Sequence, residues 1–200
     1  MAQNSWNGWE RKLLFLNLGH GKFDDIARSA GCDDIRDGRG VALADFNHDG
    51  KLDIVINNNA AAPTIYLNRL PATGNWFRCN LIGSPSPTGG EPGSNRDALG
   101  AKATLDVTID GQPHQIVRWM EAGSGYAAQS ESTLHFGVGA SNSIDSLTVV
   151  WPSGRSEKFG ADQLRDMINH ECRIEEGRGI TATVSSQPEA ATAAQTSVQR

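Results

Sequence analysis

The chain has 200 residues, a net charge of −5 and a hydrophobic content of 38%. This length allows one or two domains, and the charge excludes the basic surface that nucleic-acid binding requires. Since no run of about 18 apolar residues occurs, the sequence predicts no membrane-spanning helix. Residues 1–17 lack an apolar segment followed by a small-residue cleavage site, so we expect no signal peptide there. The 22 glycines are typical of a turn-rich all-β chain.

Taken in chain order, the first part of the sequence, residues 1–70, contains an internal repeat. A short apolar stretch that ends in Leu-Asn occurs at Leu14–Asn17 and again at Ile65–Asn68. The two copies are about 51 residues apart, a period that indicates a propeller or a repeat array.

Between the two copies lies the most informative motif, the segment Asp45–Asp53, which reads D-x-N-x-D-G-x-x-D. Oxygen-bearing side chains at loop positions 1, 3, 5 and 9 allow a short loop to curl around a hard cation such as calcium (Ca²⁺). Gly50 permits the sharp turn that a Cβ would resist. The predicted ligands are the side chains of Asp45, Asn47, Asp49 and Asp53, with the main-chain carbonyl of Lys51.

This loop differs from an EF-hand, because position 12 is Ile56 rather than a bidentate Glu. The flanking segments 41–44 and 52–56 are short and aliphatic, which favours strands over helices. We therefore expect a calcium loop within a β-hairpin. The alternative is a hairpin turn rich in Asp and Asn that binds no metal.

The stretch from Gly38 to Asn58, with the loop at its centre, resembles an FG-GAP/VCBS-type repeat. Such repeats form the blades of calcium-binding β-propellers, as in integrin α-subunits, and the resemblance implies the same ligands as the spacing. About one and a half blades are present, whereas a propeller closes with about 4–8 blades. We therefore expect an N-terminally incomplete copy of a longer protein, or a blade whose open edge packs on missing blades, the next domain or another chain.

The sequence of the second part, residues 74–176, predicts an antiparallel β-sandwich. Alternation is clearest at residues 101–109, where Ala103, Leu105, Val107 and Ile109 share one face. Asp110-Gly111 is a favoured hairpin turn. Further strands are predicted at 76–82, 114–120, 133–139 and 146–154.

Four motifs of this second part resemble an ASPIC/UnbV domain. They stand in order at 94–101, 123–130, 134–139 and 150–154. In cartilage acidic protein-like secreted bacterial proteins this domain follows FG-GAP/VCBS repeats. The resemblance therefore implies an extracellular or cell-envelope location.

Near the C-terminus, residues 161–169 have the composition for two helical turns, and residues 171–176 for a last strand. Residues 177–200 are rich in Thr, Ser, Ala and Gln and contain no aromatic residue. This composition predicts a disordered tail.

The three cysteines, Cys32, Cys79 and Cys172, are widely spaced. An odd number argues against a complete disulfide framework. One disulfide bridge and three free thiols are both compatible with the sequence.

No catalytic motif is complete, and we predict that the chain is not an enzyme. Ser124 does not stand in the G-x-S-x-G sequence of a nucleophile elbow, and His135 lies in an alternating strand where a packed imidazole is expected. Trp76, Trp119 and Trp151 are interpreted mainly as core residues. Candidate ligand-binding residues are Asn95, Arg96, Asp97 and Tyr126; for the first three, the alternative is a turn held by an Arg–Asp contact.

Two functional hypotheses follow. The first is a calcium-stabilised, non-catalytic extracellular module for binding or adhesion, with an unknown protein or glycan ligand. The alternative is a carbohydrate-binding or accessory domain of a secreted enzyme. A weaker third possibility is a nonfunctional fragment, recognisable by poor solubility and unpaired blade edges.

Overall fold

The fold is taken from a computed structural model, which describes residues 9–71, 74–85 and 92–185, with side chains described to residue 183. These residues form strands and turns, and no α-helix occurs among them. The all-β class is therefore confirmed. No helix in the described ranges has the length and apolar character needed to cross a membrane. The strands are β1 (Phe15–Gly19), β2 (Lys22–Asp25), β3 (Gly38–Ala44), β4 (Asp53–Asn58), β5 (Thr64–Tyr66), β6 (Asn75–Ile82), β7 (Lys102–Ile109), β8 (Gln112–Trp119), β9 (Thr133–Gly139), β10 (Ser146–Val150), β11 (Ser156–Gly160), β12 (His170–Glu175) and β13 (Gly179–Ser185).

The chain divides into two compact units. The repeat unit contains the described residues of Met1–Ala44, together with Leu52–Arg69 and Ala122–Glu131. The sandwich unit contains the described residues of Asp45–Lys51, Leu70–Glu121 and Ser132–Arg200. Each unit thus includes one short segment taken from the sequence region that mainly forms the other.

The repeat unit contains a two-stranded hairpin, β1–β2, and an antiparallel sheet in the order β3-β4-β5. The aliphatic residues Ile54–Ile56 place β4 at the centre of this sheet, paired on both sides. Segment 122–131 adjoins the free edge of β3. Leu43 donates its N–H to Ser130 Oγ at 3.1 Å and accepts the Glu131 N–H at 2.9 Å.

The sandwich unit contains two four-stranded sheets, in the orders β11-β10-β7-β8 and β13-β12-β6-β9. The expected alternation is confirmed in β7, where Ala103, Leu105 and Val107 are buried in the core. The Asp110-Gly111 turn is also confirmed, and both of its residues have positive φ. The other strand pairs of the two sheets are antiparallel, as predicted, whereas the pair of β12 with β6 is parallel. The chain enters β12 from the other sheet, and that crossover permits a parallel pair.

Two predictions near the C-terminus were wrong. Residues 161–166 form turns rather than helix, and the positive φ of Asp166 and Asn169 is incompatible with a continuous helix. The predicted strand at 171–176 is β12, but it is not the last. Strand β13 follows within the expected disordered tail and pairs with β12. The remaining tail, residues 186–200, lies outside the described residues.

Candidate metal-binding loop

The segment 45–51 is curled by hydrogen bonds from its own main chain to its carboxylates. Asp45 Oδ1 accepts the Asp49 N–H at 3.1 Å, and Asp45 Oδ2 accepts the Gly50 N–H at 2.9 Å. Asp49 Oδ1 accepts the Lys51 N–H at 2.9 Å. His48 and Gly50 have φ of 54° and 82°, which turns the chain back on itself. The sequence motif thus produces a tight loop with carboxylates at its start and middle.

Asp49 has two further partners within the loop. Asn47 Nδ2 donates to Asp49 Oδ2 at 3.1 Å, and the Lys51 ammonium lies 3.1 Å from the same oxygen. Burial would raise the pKa of Asp49, but the hydrogen bonds from Lys51 and Asn47 and the charge of Lys51 outweigh it, so the pKa is lowered. Asp49 is therefore ionised at neutral pH. The Lys51 ammonium therefore neutralises part of the negative charge of the loop by ion pairing.

A buried arginine pairs with the first carboxylate of the loop. Arg78 Nη1 lies 2.6 Å from Asp45 Oδ2, and the two side chains are 4% and 0% exposed. Arg78 Nη2 is also 3.4 Å from Glu171 Oε2. Sequence reasoning missed Arg78, although a charged residue between the apolar Phe77 and Cys79 of a strand is a signal that it meets a buried partner.

The loop is also held through Gly50. The carbonyl of Gly50 lies 2.7 Å from His135 Nε2, which therefore carries the proton and donates it. Burial lowers the pKa of His135, so the ring is neutral, although the bond to Gly50 acts in the opposite direction. The ring stacks on Trp76 with centroids 6.2 Å apart. A Cβ on Gly50 would lie 2.0 Å from Trp76 Nε1, so only glycine fits this position.

The structure divides the five predicted calcium ligands between the units. Asp45, Asn47, Asp49 and Lys51 belong to the sandwich unit, whereas Asp53 is the first residue of β4 in the repeat unit. Asp53 is buried and its Oδ1 accepts the N–H of Asn68 at 2.7 Å. This bond connects the loop motif to the second Leu-Asn sequence of the internal repeat.

The donor chemistry of segment 45–51 fits calcium. Two carboxylates, an amide oxygen and a main-chain carbonyl are the hard oxygen donors that calcium prefers. Among the described residues, no group of three or more His, Cys, Asp or Glu side chains is arranged to hold a metal ion. The amide and carbonyl oxygens are therefore needed to complete a site, and calcium binding stays a prediction.

The candidate ligand-binding residues do not form one cluster in either unit. Asn95, Arg96 and Asp97 are exposed in the sandwich unit, while Tyr126, 76% exposed, belongs to the repeat unit. The turn at Asn95 is held by its own side chain, which exchanges hydrogen bonds of 2.8 and 3.0 Å with the main chain of Leu99. Within the described residues no ion pair joins Arg96 to Asp97, so the turn of the alternative interpretation is present but is held by Asn95.

The sequence analysis missed a buried carboxylate, Glu176, which accepts hydrogen bonds from three serine residues of the sandwich unit. Glu176 Oε2 accepts the N–H groups of Ser84 and Ser94, each at 3.0 Å, and Oε1 accepts the Ser153 hydroxyl at 2.5 Å. Burial would raise the pKa of Glu176, but these hydrogen bonds outweigh it and lower the pKa. Ser94 and Ser153 open or lie within two of the four motifs described above. Glu176 thus ties together loops that are distant in sequence.

Comparison with known proteins supports the two resemblances. Residues 5–56 match the family model of an FG-GAP-like repeat, and residues 90–181 match the ASPIC and UnbV model. Cartilage acidic protein 1 of Homo sapiens is 58% identical over 74 residues, which are 36% of this chain and 11% of that protein. The same protein of Xenopus tropicalis is 65% identical over 47 residues, 23% of this chain and 7% of that protein.

The matches thus span at most about a tenth of the length of these curated relatives. They indicate an extracellular-type β-rich protein. In the order that the sequence predicted, a match to the FG-GAP-like repeat is followed along the chain by a match to the ASPIC and UnbV family.

Proposed function

We propose that this chain is a calcium-binding, non-catalytic module for binding or adhesion in an extracellular protein. The observation that carries the proposal is the curl of segment 45–51, whose carboxylates are oriented by main-chain N–H groups. Asp45, Asn47 and Asp49 would hold the ion with side-chain oxygens and Lys51 with its carbonyl. The sequence motif also predicts Asp53 as a ligand, and this residue belongs to the repeat unit.

The proposed ion has a structural role. Lys51 and Arg78 already neutralise part of the charge of Asp49 and Asp45, so we expect a modest affinity, with a Kd of about 10⁻⁵ to 10⁻³ M. Such an affinity suits extracellular calcium concentrations rather than a cytosolic sensor. The ion would tie the ends of the loop together.

The non-catalytic part of the proposal is supported by the surroundings of the two residues that most resemble catalytic groups. The hydroxyl of Ser124 lies 3.2 Å from the hydroxyl of Ser130. His135 donates to the carbonyl of Gly50. Neither pair places a base beside a nucleophile, which acyl-transfer chemistry requires.

Calcium titration by calorimetry, combined with thermal melts in calcium and in chelator, tests the proposal. We expect binding and a rise in Tm for the native chain, and loss of both for Asp49→Ala. Asp162→Ala is the matched control, because it removes the same charge from an exposed carboxylate that is 94% accessible. Equal calcium responses of the native chain and Asp49→Ala would contradict the ligand assignment.

One observation favours the alternative of carbohydrate binding. Trp119, interpreted from the sequence as mainly core, is 54% exposed on β8, and the Lys102 ammonium lies 5.5 Å from its ring centroid. An exposed indole beside a hydrogen-bond donor is suited to stacking on a sugar ring. Retention on immobilised glycans that is lost in Trp119→Ala and is unchanged by chelator would favour this function over the first.

A further inference from the structure

Asp45, the first predicted ligand of the loop, is buried. The carboxylate of Asp45 is fully shielded from solvent, and a buried charge of this kind is stable only beside a counter-charge and hydrogen-bond donors. In a calcium site that counter-charge is the metal ion. Here it is supplied by the guanidinium of Arg78, 2.6 Å away.

The hydrogen bonds at Asp45 show how much room remains for an ion. An ionised carboxylate offers about four lone-pair positions. The N–H groups of Asp49 and Gly50 and the guanidinium of Arg78 take up three of these positions. An ion that binds Asp45 therefore shares the carboxylate with a fixed positive charge.

Arg78 is not free to leave when an ion arrives. It lies in β6, between β9 and β12, and its side chain is 4% exposed. Glu171 on β12 approaches its second nitrogen at 3.4 Å. Moving a guanidinium out of such a position would expose a buried cavity and two unpaired carboxylates, which costs more than the repulsion that it would relieve.

We propose that Arg78 is a built-in counter-cation of the calcium loop, which holds Asp45 in place without metal and lowers the affinity of the loop for calcium. This inference rests on the proposed calcium function. It predicts that the calcium affinity rises when Arg78 is removed, although Arg78 stabilises the loop without metal. A purely structural arginine would have the opposite effect, since its loss would disorder the ligands.

The test is the calcium affinity of Arg78→Met, measured by calorimetry on the full chain. Methionine is neutral and apolar, so it removes the charge while filling part of the space. We expect the Kd to fall by at least about tenfold, because two positive charges no longer share one buried carboxylate. Arg78→Lys keeps the charge but not the forked contacts with Asp45 and Glu171, so we expect a Kd between those of the native chain and Arg78→Met.

Arg173→Met is the matched control. Arg173 lies on β12 with an exposed side chain, so the same substitution there should leave the Kd unchanged. A fall in Kd for this control equal to that for Arg78→Met would show that net charge alone is responsible, and would overturn the specific role of Arg78.

Arg78→Met leaves Asp45 buried without its partner and is expected to destabilise the metal-free chain. Thermal melts therefore provide the second measurement, since the rise in Tm on adding calcium should be larger for Arg78→Met than for the native chain. An unchanged or smaller rise, or a variant that calcium does not restore, overturns it.

The outcomes separate this inference from the proposed function. Calcium binding by Arg78→Met but not by the native chain at about 10 mM calcium would contradict the proposed function and support the inference. Binding by the native chain with equal or weaker binding by Arg78→Met would leave the function intact and overturn the inference. Binding by neither protein would overturn both.

Discussion

Phenylalanine side chains are buried in the core of the sandwich unit and exposed in the hairpin of the repeat unit. Phe77 and Phe136 of the sandwich unit are 0% exposed and contact each other with ring centroids 5.9 Å apart. Phe15 and Phe23 of the hairpin are 57% and 60% exposed. Among the described hydrophobic residues of the repeat unit, only Ala27 is buried.

The repeat unit is held together to a larger extent by hydrogen bonds and ion pairs between polar side chains. Asp34 accepts hydrogen bonds from the side chain and main chain of Arg36, and these lower the pKa of Asp34 to about 2. The Lys12 ammonium donates to the Arg36 carbonyl at 2.5 Å. Solvent-accessible ion pairs contribute little to stability. The comparison therefore indicates that the hydrophobic effect stabilises the sandwich unit far more strongly than the repeat unit.

The largest expected difference comes from removing a phenyl ring in each unit. Phe136→Ala leaves a cavity in the core of the sandwich unit and should lower its free energy of unfolding by about 3–5 kcal/mol. Phe23→Ala, the matched control in the hairpin, should cost less than about 0.5 kcal/mol. Urea denaturation of both variants measures the difference. A large cost for Phe23→Ala would contradict the exposure of that ring.

A second pair of variants compares two glycines with positive φ. Gly50→Ala introduces left-handed strain and also pushes a methyl group into Trp76, so we expect a loss of about 2–5 kcal/mol. Gly21→Ala in the hairpin has a similar φ of +72° but open space around the added Cβ, and should cost about 1–2 kcal/mol. Thermal melts measure the loss of free energy of unfolding for each variant. The tryptophan fluorescence of the chain should change for Gly50→Ala, because the added methyl group contacts Trp76. Equal losses would mean that backbone strain alone accounts for both.

The third prediction concerns acid stability. Because folding lowers the pKa of Glu176, its contribution is fully present above the ordinary Glu value of about 4.3 and is lost as the pH falls through the folded value. Glu176→Gln should cost about 1–3 kcal/mol at pH 7 and flatten the fall in stability between about pH 5 and 3. Urea denaturation across this range checks it, with Glu175→Gln as the partly exposed control. An unaltered pH profile would disprove the role of Glu176.

The smallest expected difference concerns the reactivity of the three cysteines toward an alkylating reagent. All three cysteines are free thiols in the structure. Burial raises the pKa of Cys172 to about 12 and that of Cys79 well above its ordinary value. We expect iodoacetamide to label only the partly exposed Cys32 in the folded chain and all three in denaturant. Mass spectrometry counts the labels, and modification of Cys79 under native conditions would contradict the burial.

Local patterns predicted much of the fold and part of the site. The alternation in β7 and the D-x-N-x-D-G motif are both short-range features. The first is confirmed by the burial of Ala103, Leu105 and Val107; the second forms a tight loop, and its calcium binding stays a prediction. The pairing of Arg78 with Asp45 joins residues 33 positions apart, so no local pattern contains it. Strand β13 was missed because its Thr and Ser content resembles that of a disordered tail, whereas pairing with β12 is what orders it.

The exchange of segments between the two units has a practical consequence for dissecting the protein. A cut between β5 and β6, within the stretch that separates the two family matches, would leave segment 45–51 on the repeat fragment and segment 122–131 on the sandwich fragment. The first fragment would lack the residues that satisfy the edge of β3 at Leu43, and the second would contain Arg78 and His135 without Asp45 and Gly50. Excised domains would therefore be poor substitutes for the intact chain in binding experiments, and the smallest useful fragment for such work extends across both families.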